Sequence, residues 1–240
     1  MVGLEELMDY VIPVPPIATL PVEGTQARFP VHRIYCVGRN YAEHAREMGG
    51  DPTRESPFFF VKPADALVSD GNNFPYPTQT EDVHHEIELV VALAKGGKDI
   101  ATDAALACVY GYAVGLDMTR RDLQATAKKL GRPWETSKGF DHSAPVGTLA
   151  PAATIGHPTS GAIWLKVNGE PRQRGDLAQL IWKVPEVIAH LSSLFTLELR
   201  TQLLRATTSP AGIAHLEDPD IADELRVITG EDQNTSSQPR

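Results

Sequence analysis

The chain has 240 residues, and its 22 lysines and arginines against 31 aspartates and glutamates give a formal net charge of −9. An acidic chain repels phosphate backbones, which argues against a protein that binds nucleic acid. No apolar run reaches the roughly 18 to 20 residues that cross a bilayer, so a membrane partner is not expected. The two cysteines, Cys36 and Cys108, form no CxxC pair. Together with an acidic N-terminal stretch that is unlike a secretory signal, they predict a cytoplasmic protein.

Turn-forming residues are frequent along the chain. The 19 glycines and 19 prolines favour many short strands over a helical bundle. The prolines within residues 1–30 predict an extended leader with a short strand near residues 17–20. We expect one α+β domain over residues 31–229, followed by a polar and disordered tail over residues 230–240.

Hydrophobic patterning places the elements of this domain in chain order. Strands are predicted at residues 33–37, 57–62, 86–93 and 109–116, and a hairpin with an Asn168-Gly169 turn at residues 162–174. Helices are predicted at residues 41–48, 101–107, 119–130 and 185–194. Asn40 is a good N-cap for the first of these helices. Thr119 and Asp122 have capping-box spacing in the third, which Gly131 is expected to end.

Two glutamates alternate along the strongest predicted strand. Side chains at i and i+2 of a strand lie on one face, so Glu86 and Glu88 project together, ahead of residues that are apolar on both faces. Asp117 ends the next apolar strand, where a side chain can point into a crevice. Three carboxylates on two strand ends would form the all-oxygen site that Mg²⁺ or Mn²⁺ accepts. The alternatives are a solvent-facing glutamate pair and an aspartate that caps the following helix.

Other candidate functional residues are one histidine, one glutamate and two lysines. His44 and Glu47 stand three residues apart on a predicted helix and so share a face. A carboxylate beside an imidazole orients the ring and raises its basicity, which suits a base that activates water, although a plain surface contact is the alternative. Lys62 and Lys138 have apolar or glycine-rich neighbours. They are either solvated surface lysines or anchors for an anionic substrate.

Several familiar motifs give no support to other functions. His84 and His85 are adjacent, so on a strand they point to opposite faces and are not expected to share a metal. Cys36 lacks a partner pattern and is interpreted as a small buried hydrophobic residue. The sequence contains no GxGxxG after a strand, no GxxxxGK[ST] and no GxSxG, which argues against nucleotide-binding and serine-hydrolase functions.

Six separated blocks of sequence resemble one known family. In chain order they read YCVGRNYAEHAREMG, PFFFVKPADALV, HHEIELVVAL, YGYAVGLDMTRRDLQ, LGRPWETSKGFDHSAPVG and IWLKVNGEPRQ. Their order and spacing resemble the fumarylacetoacetate hydrolase superfamily, and within it the bacterial fumarylpyruvate hydrolases and acylpyruvases. The resemblance covers residues 17–198.

The resemblance implies an α+β fold, a mixed β-sandwich roll with short flanking helices, in a chain that forms a homodimer. It implies one divalent ion per subunit, Mg²⁺ or Mn²⁺, held by Glu86, Glu88 and Asp117. It also implies roles for further residues: catalysis by His44, Glu47 and Lys138, and substrate binding by Arg39, Lys62, Gln124 and Ser209.

The implied activity is hydrolysis of the C–C bond of an acylpyruvate, a small anionic 2,4-dioxo acid. Fumarylpyruvate, an intermediate of gentisate-type aromatic degradation, would give fumarate and pyruvate. The metal would stabilise the departing pyruvate enolate, and His44, oriented by Glu47, would deprotonate the attacking water. Oxaloacetate decarboxylation and 2-oxo-acid isomerisation use the same ligands and are the alternatives, together with a catalytically impaired homologue that still binds metal.

The chain departs from the family pattern after Glu198. The family continues with strands and a glycine-rich loop that reaches the active site. Here only residues 209–213, SPAGI, resemble that loop, and Ser209 stands where the family has threonine. We therefore expect residues 198–229 to be atypical and more helical in character, and the sheet to close in a different way.

Overall fold

A computed structural model of the chain describes residues 10–38, 40 and 56–197, together with the backbone of residues 202–208. The strands in these ranges are β1 (Thr19–Pro21), β2 (Arg28–Pro30), β3 (Arg33–Gly38), β4 (Phe58–Pro63), β5 (Leu67–Val68), β6 (Val83–His84), β7 (Ile87–Leu93), β8 (Val109–Leu116), β9 (Thr119–Arg120), β10 (Ala144–Pro145), β11 (Ala150–Pro151), β12 (Ala162–Val167), β13 (Glu170–Asp176) and β14 (Gln202–Thr208). The α-helices are α1 (Arg121–Leu130), α2 (Glu135–Lys138), α3 (Ala152–Ile155) and α4 (Val184–Leu194).

Six of these strands form a central sheet in the order β11-β8-β7-β14-β3-β4. The sheet is mixed, because β14 runs parallel to β3 and antiparallel to β7 while the other neighbours are antiparallel. The remaining strands of the described ranges form four two-stranded pairs: β1 with β2, β5 with β10, β6 with β9 and β12 with β13. A mixed sheet with a few short helices confirms the predicted α+β fold.

Both faces of β7, in the middle of the central sheet, are buried, as its apolar run requires. All seven residues of β7 are buried. On one face Leu89 belongs to a core shared with Leu165 of β12 and Ile188 of α4. On the other face Val90 belongs to a second core, shared with Leu20 of β1. The sheet is therefore the middle layer of the protein, with the leader strands on one side and the β12–β13 hairpin and α4 on the other.

Most predicted elements are confirmed. The four single strands predicted after the leader correspond to β3, β4, β7 and β8 within about one residue at each end. The predicted hairpin is β12–β13, and its turn places Asn168 at φ 51° and Gly169 at φ 81°, as a two-residue hairpin turn demands. The last predicted helix is α4, with Pro185 in its first turn.

Two predicted helices are partly wrong. Residues 101–107 form turns that lead into a 3₁₀ helix at Ala105–Cys108 rather than an α-helix. The third predicted helix begins two residues late, because Thr119 and Arg120 form β9 and pair with β6. Gly131 ends this helix, α1, as predicted, with φ 62°. No helix within the described ranges is long and apolar enough to cross a membrane.

The predicted capping box of α1 does not form. The Thr119 hydroxyl donates to Asp117 O at 3.2 Å instead of capping the helix. The Asp122 carboxylate accepts from the Thr80 hydroxyl at 2.7 Å and from Glu81 N at 3.2 Å. The pairing of β9 with β6 takes Thr119 out of the helix, so a tertiary contact overrides the local capping signal.

The expected helical character after residue 198 is wrong for residues 202–208. This segment is β14, which lies inside the central sheet between β3 and β7. It has a register partner on both sides over most of its length, so the sheet satisfies its backbone hydrogen bonds. Pairing with two neighbours outweighs the helix propensity of a sequence such as QLLRA. The helix predicted at residues 41–48 and the tail predicted at 230–240 lie outside the described residues.

Candidate metal centre

Three carboxylates meet where β7 begins and β8 ends. Glu86 immediately precedes β7, Glu88 lies within it, and Asp117 follows β8. One ligand oxygen from each lies within 4.8 Å of the others, and all three residues are buried. The register of the two strands, in which Ile87 faces Leu116, brings the three residues together. Asp117 N also donates to Glu86 O at 2.8 Å, so this hydrogen bond fixes the junction.

Lys138, at the end of α2, lies between two of these carboxylates. Its Nζ is 2.8 Å from Glu86 Oε2 and 2.8 Å from Asp117 Oδ2. Burial lowers the pKa of Lys138, but the attraction of Asp117 and Glu86 outweighs burial and leaves the pKa raised. Lys138 is therefore a buried ammonium group that offsets part of the negative charge of the cluster.

Lys62, on β4, approaches the same cluster from the other side. Its Nζ is 2.8 Å from Asp117 Oδ1 and the side chain is fully buried. The same Nζ donates to Met118 O at 3.2 Å and to Lys138 O. Lys62 therefore combines an ion pair to Asp117 with two hydrogen bonds to backbone carbonyls. Lys62, expected from the sequence to bind substrate, lies at the carboxylate cluster and is paired with one of its members.

Arg121 was missed by the sequence analysis. It is the first residue of α1, and its Nη2 is 2.6 Å from Glu86 Oε1. Its Nη1 donates to Gln124 Oε1 at 2.6 Å, so the predicted substrate residue Gln124 also belongs to this cluster. The signal that could have found Arg121 is its spacing, because it lies three residues before Gln124 and so shares a helical face with it.

The cluster is balanced in formal charge. The carboxylates of Glu86, Glu88 and Asp117 face a set of three cationic side chains, Lys62, Lys138 and Arg121. Carboxylate oxygens in a compact, buried group are the ligands that Mg²⁺ and Mn²⁺ accept, so the group fits either ion. A bound divalent ion would add two positive charges to the balanced cluster, which would favour an anionic ligand beside it.

Four predicted site residues, Arg39, His44, Glu47 and Ser209, lie outside the described residues. The structure does describe Gly38 and Asn40 on either side of Arg39, and the backbone of Thr208 before Ser209. Thr208, the last residue of β14, pairs with Ile87, which stands between Glu86 and Glu88. β14 therefore ends beside the carboxylate cluster, one residue before Ser209 in the sequence.

Asn40 precedes the segment that contains His44 and Glu47, and it is held firmly. It is 1% exposed. Its Oδ1 accepts from Trp182 N at 2.7 Å, and its Nδ2 donates to Trp182 O at 2.9 Å. The Asn40 carbonyl accepts from Ile181 N at 2.8 Å. These bonds imitate the pairing of two strands and fix the chain four residues before His44.

Comparison with known proteins reveals clear relatives. Residues 33–223 match the family model described as fumarylacetoacetate (FAA) hydrolase C-terminal. The crystal structure of fumarylpyruvate hydrolase from Pseudomonas aeruginosa in complex with Mn²⁺ and pyruvate is 51% identical, with a TM-score of 0.83 over 87% of this chain and 91% of that one.

Curated relatives include enzymes that act on oxaloacetate. The mitochondrial oxaloacetate tautomerase of Arabidopsis thaliana is 39% identical over 180 residues, which are 75% of this chain and 80% of the relative. The mitochondrial oxaloacetate decarboxylase of Dictyostelium discoideum is 39% identical over 181 residues, which are 75% of this chain and 83% of the relative. The family match, the shared fold and the compact carboxylate group agree with one another. The chain belongs to the fumarylacetoacetate hydrolase family of enzymes.

Proposed function

We propose that the protein is a metal-dependent hydrolase of acylpyruvates, and that fumarylpyruvate is its substrate. The observation that carries the proposal is the buried group of Glu86, Glu88 and Asp117, surrounded by cationic side chains. Such a centre suits an anionic oxo acid that chelates a divalent ion. The 51% identity to a fumarylpyruvate hydrolase crystallised with Mn²⁺ and pyruvate supports this substrate class.

The three carboxylates would hold one Mg²⁺ or Mn²⁺ per subunit. When bound, the ion would act as a Lewis acid: it would polarise the 2-oxo group and stabilise the negative charge that develops when the C–C bond breaks. Lys138 would orient Glu86 and Asp117, because its Nζ donates to one oxygen of each carboxylate. Lys62 would position Asp117 through their ion pair, while its bonds to Met118 O and Lys138 O hold the lysine itself in place.

The substrate carboxylate would be bound by cationic and amide side chains near the metal. Arg121 is the half-buried member of the cluster, with 22% of its side chain accessible. With Gln124 it offers donors on one face of α1. By family resemblance, Arg39 and Ser209 would add further contacts, and His44 oriented by Glu47 would take the proton from the attacking water.

A row of aromatic rings extends from the metal centre toward the surface. The Phe60 ring centroid lies 5.4 Å from Lys138 Nζ. Trp134 follows, with its centroid 5.8 Å from that of Phe60 and 5.4 Å from that of Phe58. Phe58 is 38% exposed. A flat, conjugated acyl chain would find apolar surface on these rings, whereas oxaloacetate has no acyl chain that could use it.

The second candidate is tautomerisation or decarboxylation of oxaloacetate on the same centre. Two relatives at 39% identity carry the names of these activities, which favours this candidate. Neither reaction needs an apolar surface that binds an acyl chain. A third possibility is a homologue that binds metal without turnover.

The deciding experiment offers both substrates to the same metal-loaded protein. With Mn²⁺ present, the hydrolase should remove the enol absorbance of fumarylpyruvate and release fumarate and pyruvate. EDTA should abolish the reaction, and His44→Ala should do the same without loss of Mn²⁺ binding. Turnover of oxaloacetate alone would favour the second candidate. Binding of Mn²⁺ without turnover of either substrate would favour the third.

We also propose a homodimer in a reducing, cytoplasmic setting. The dimer rests on the family resemblance, and light scattering would test it. The reducing setting is supported by the sequence, which has two cysteines and no CxxC pair. Relatives with mitochondrial names leave an organelle as the alternative to be tested by fractionation.

A further inference from the structure

One buried side chain of the β12–β13 hairpin reaches the start of β7. Gln173, on β13, is 3% exposed. Its Oε1 lies 2.9 Å from Ile87 N and 3.2 Å from His85 Nδ1. The hairpin belongs to a separate sheet from β7, so this amide oxygen connects two layers of the fold.

The two contacts of Gln173 determine which atoms carry hydrogen. The backbone N–H of Ile87 is always a donor, so the side-chain atom of Gln173 that faces it must be the carbonyl oxygen. That oxygen can only accept, and therefore His85 Nδ1 must carry a hydrogen. The geometry thus specifies the Nδ1–H tautomer of His85.

These contacts lie at the residues that flank the candidate metal ligands. Glu86 precedes the first residue of β7, so strand pairing does not begin until Ile87. Asp117 N holds Glu86 from the side of β8. Gln173 holds both neighbours of Glu86, His85 and Ile87, from the side of the hairpin.

We propose that Gln173 is a positioning residue of the metal centre, which acts through His85 and Ile87 to keep the Glu86 and Glu88 carboxylates converged on one ion. The proposal rests on the ligand set given under the proposed function. Partners that orient metal ligands from outside the coordination sphere typically change metal affinity about 10- to 100-fold when they are removed. Loss of the Gln173 oxygen should therefore weaken binding of the ion even though no ligand is lost.

The test compares three variants of the full chain for their affinity for Mn²⁺ alone, measured by calorimetry at one pH. Gln173→Leu removes the acceptor at similar size, and its Kd should rise about 10- to 100-fold. Gln173→Glu keeps an acceptor oxygen at the same reach and should restore most of the affinity. Gln179→Leu is the matched control, because Gln179 follows the same hairpin and its Oε1 accepts from Asp176 N at 2.9 Å. It should lose stability without a change in Kd.

The outcomes separate this proposal from the metal site itself. If the wild-type chain does not bind Mn²⁺, the proposed ligand set is wrong. If the wild-type chain binds Mn²⁺ and Gln173→Leu binds it equally well, only the positioning role is overturned. Should Gln173→Leu fail to fold, the ¹⁵N spectrum of His85 in the wild-type chain decides, since an Nε2–H tautomer would contradict the proposed hydrogen bond and an Nδ1–H tautomer would sustain it.

Discussion

Lys62 Nζ lies 2.8 Å from Asp117 Oδ1, although their strands are far apart in the order of the central sheet. Lys62 belongs to the edge strand β4, and Asp117 follows β8, which is four strands away. At about 4.8 Å per strand, a flat sheet would separate the two strands by about 19 Å, well beyond the combined reach of the side chains. The sheet must therefore curl strongly, and this curvature encloses the carboxylate cluster. The contact supports the roll that the family resemblance implied.

The first prediction concerns this buried ion pair. Lys62→Met keeps the apolar stem but leaves the Asp117 charge with one fewer partner, at a place where both side chains are fully buried. We expect the free energy of unfolding to fall by about 3 kcal/mol or more, as when other buried pairs lose one member. Urea denaturation of the metal-free protein measures the change. Lys166→Met on the exposed face of β12 is the control and should cost no more than about 0.5 kcal/mol. Equal stability of the two variants would contradict the role given to Lys62.

The carboxylate group could be predicted from the sequence because the rules behind it are local. Alternation along a strand places Glu86 with Glu88, and the end of the next apolar run locates Asp117. The partners could not be found in this way. Arg121 is 35 residues from Glu86 in the sequence, and only the turn from β8 through β9 into α1 brings them together.

The path of the chain after residue 198 could not be predicted for a related reason. The conformation of a short segment with mixed helix and strand propensity depends on whether the sheet offers it a strand edge to pair with. β3 and β7 leave a gap that one strand can fill, and β14 fills it with pairing on both sides. The gap between β3 and β7 is a feature of the tertiary structure, so the local sequence of residues 202–208 cannot predict it.

The second prediction uses two adjacent arginines with different surroundings. Arg121 contacts Glu86 and Gln124, whereas the Arg120 guanidinium lies 4.4 Å from the centroid of the Phe140 ring and only weakly approaches Thr136 O. Arg121→Met should lower kcat/KM for fumarylpyruvate about 10- to 100-fold, the effect of losing a charge-assisted hydrogen bond. Arg120→Met should change it less than about threefold. Steady-state kinetics on both variants checks this, and equal losses would place the substrate elsewhere.

The third prediction concerns the response to metal. A ligand that binds only the folded state, present at about 100 times its Kd, raises the free energy of unfolding by about 2.7 kcal/mol. Mn²⁺ or Mg²⁺ should therefore raise the Tm of the wild-type chain, and EDTA should reverse the rise. Glu88→Gln removes one charged ligand and should abolish most of the shift. A thermal scan with and without Mn²⁺ measures both, and an undiminished shift in Glu88→Gln would show that the ion binds at another place.

The fourth prediction concerns the anchor before His44. Asn40→Ala removes two side-chain hydrogen bonds to Trp182, each worth about 1 kcal/mol. The free energy of unfolding should therefore fall by about 2 kcal/mol. If His44 is the base, kcat should fall as well, because the chain that leads to it loses its fixed point. Asn72→Ala, at an exposed turn where Asn72 donates to Ser69 O, should leave kcat unchanged. A normal kcat in folded Asn40→Ala would separate the anchor from catalysis.

The fifth prediction is a dependence of stability on pH at the start of α1. Burial raises the pKa of Asp122, but hydrogen bonds from the Thr80 hydroxyl and from the backbone of Leu123 and Glu81 outweigh burial and leave the pKa lowered. Because the folded pKa is below the unfolded value of about 3.9, the stabilisation is complete above that value and is lost as the pH falls through the folded pKa.

Asp122→Asn should therefore have a lower Tm than the wild-type chain at pH 7, and the difference should shrink as the pH falls below about 4. Thermal unfolding followed by circular dichroism at pH 7, 5 and 3.5 measures the difference. Asp103→Asn, at an exposed position, is the control and should follow the wild-type curve throughout. A difference between Asp122→Asn and wild type that stays constant over this range would mean that the contribution of Asp122 comes from packing rather than from its charge. In that case protonation of Asp122 would not weaken its contact with Thr80. A fall in pH would then not disturb the first turn of α1, which carries Arg121 and Gln124.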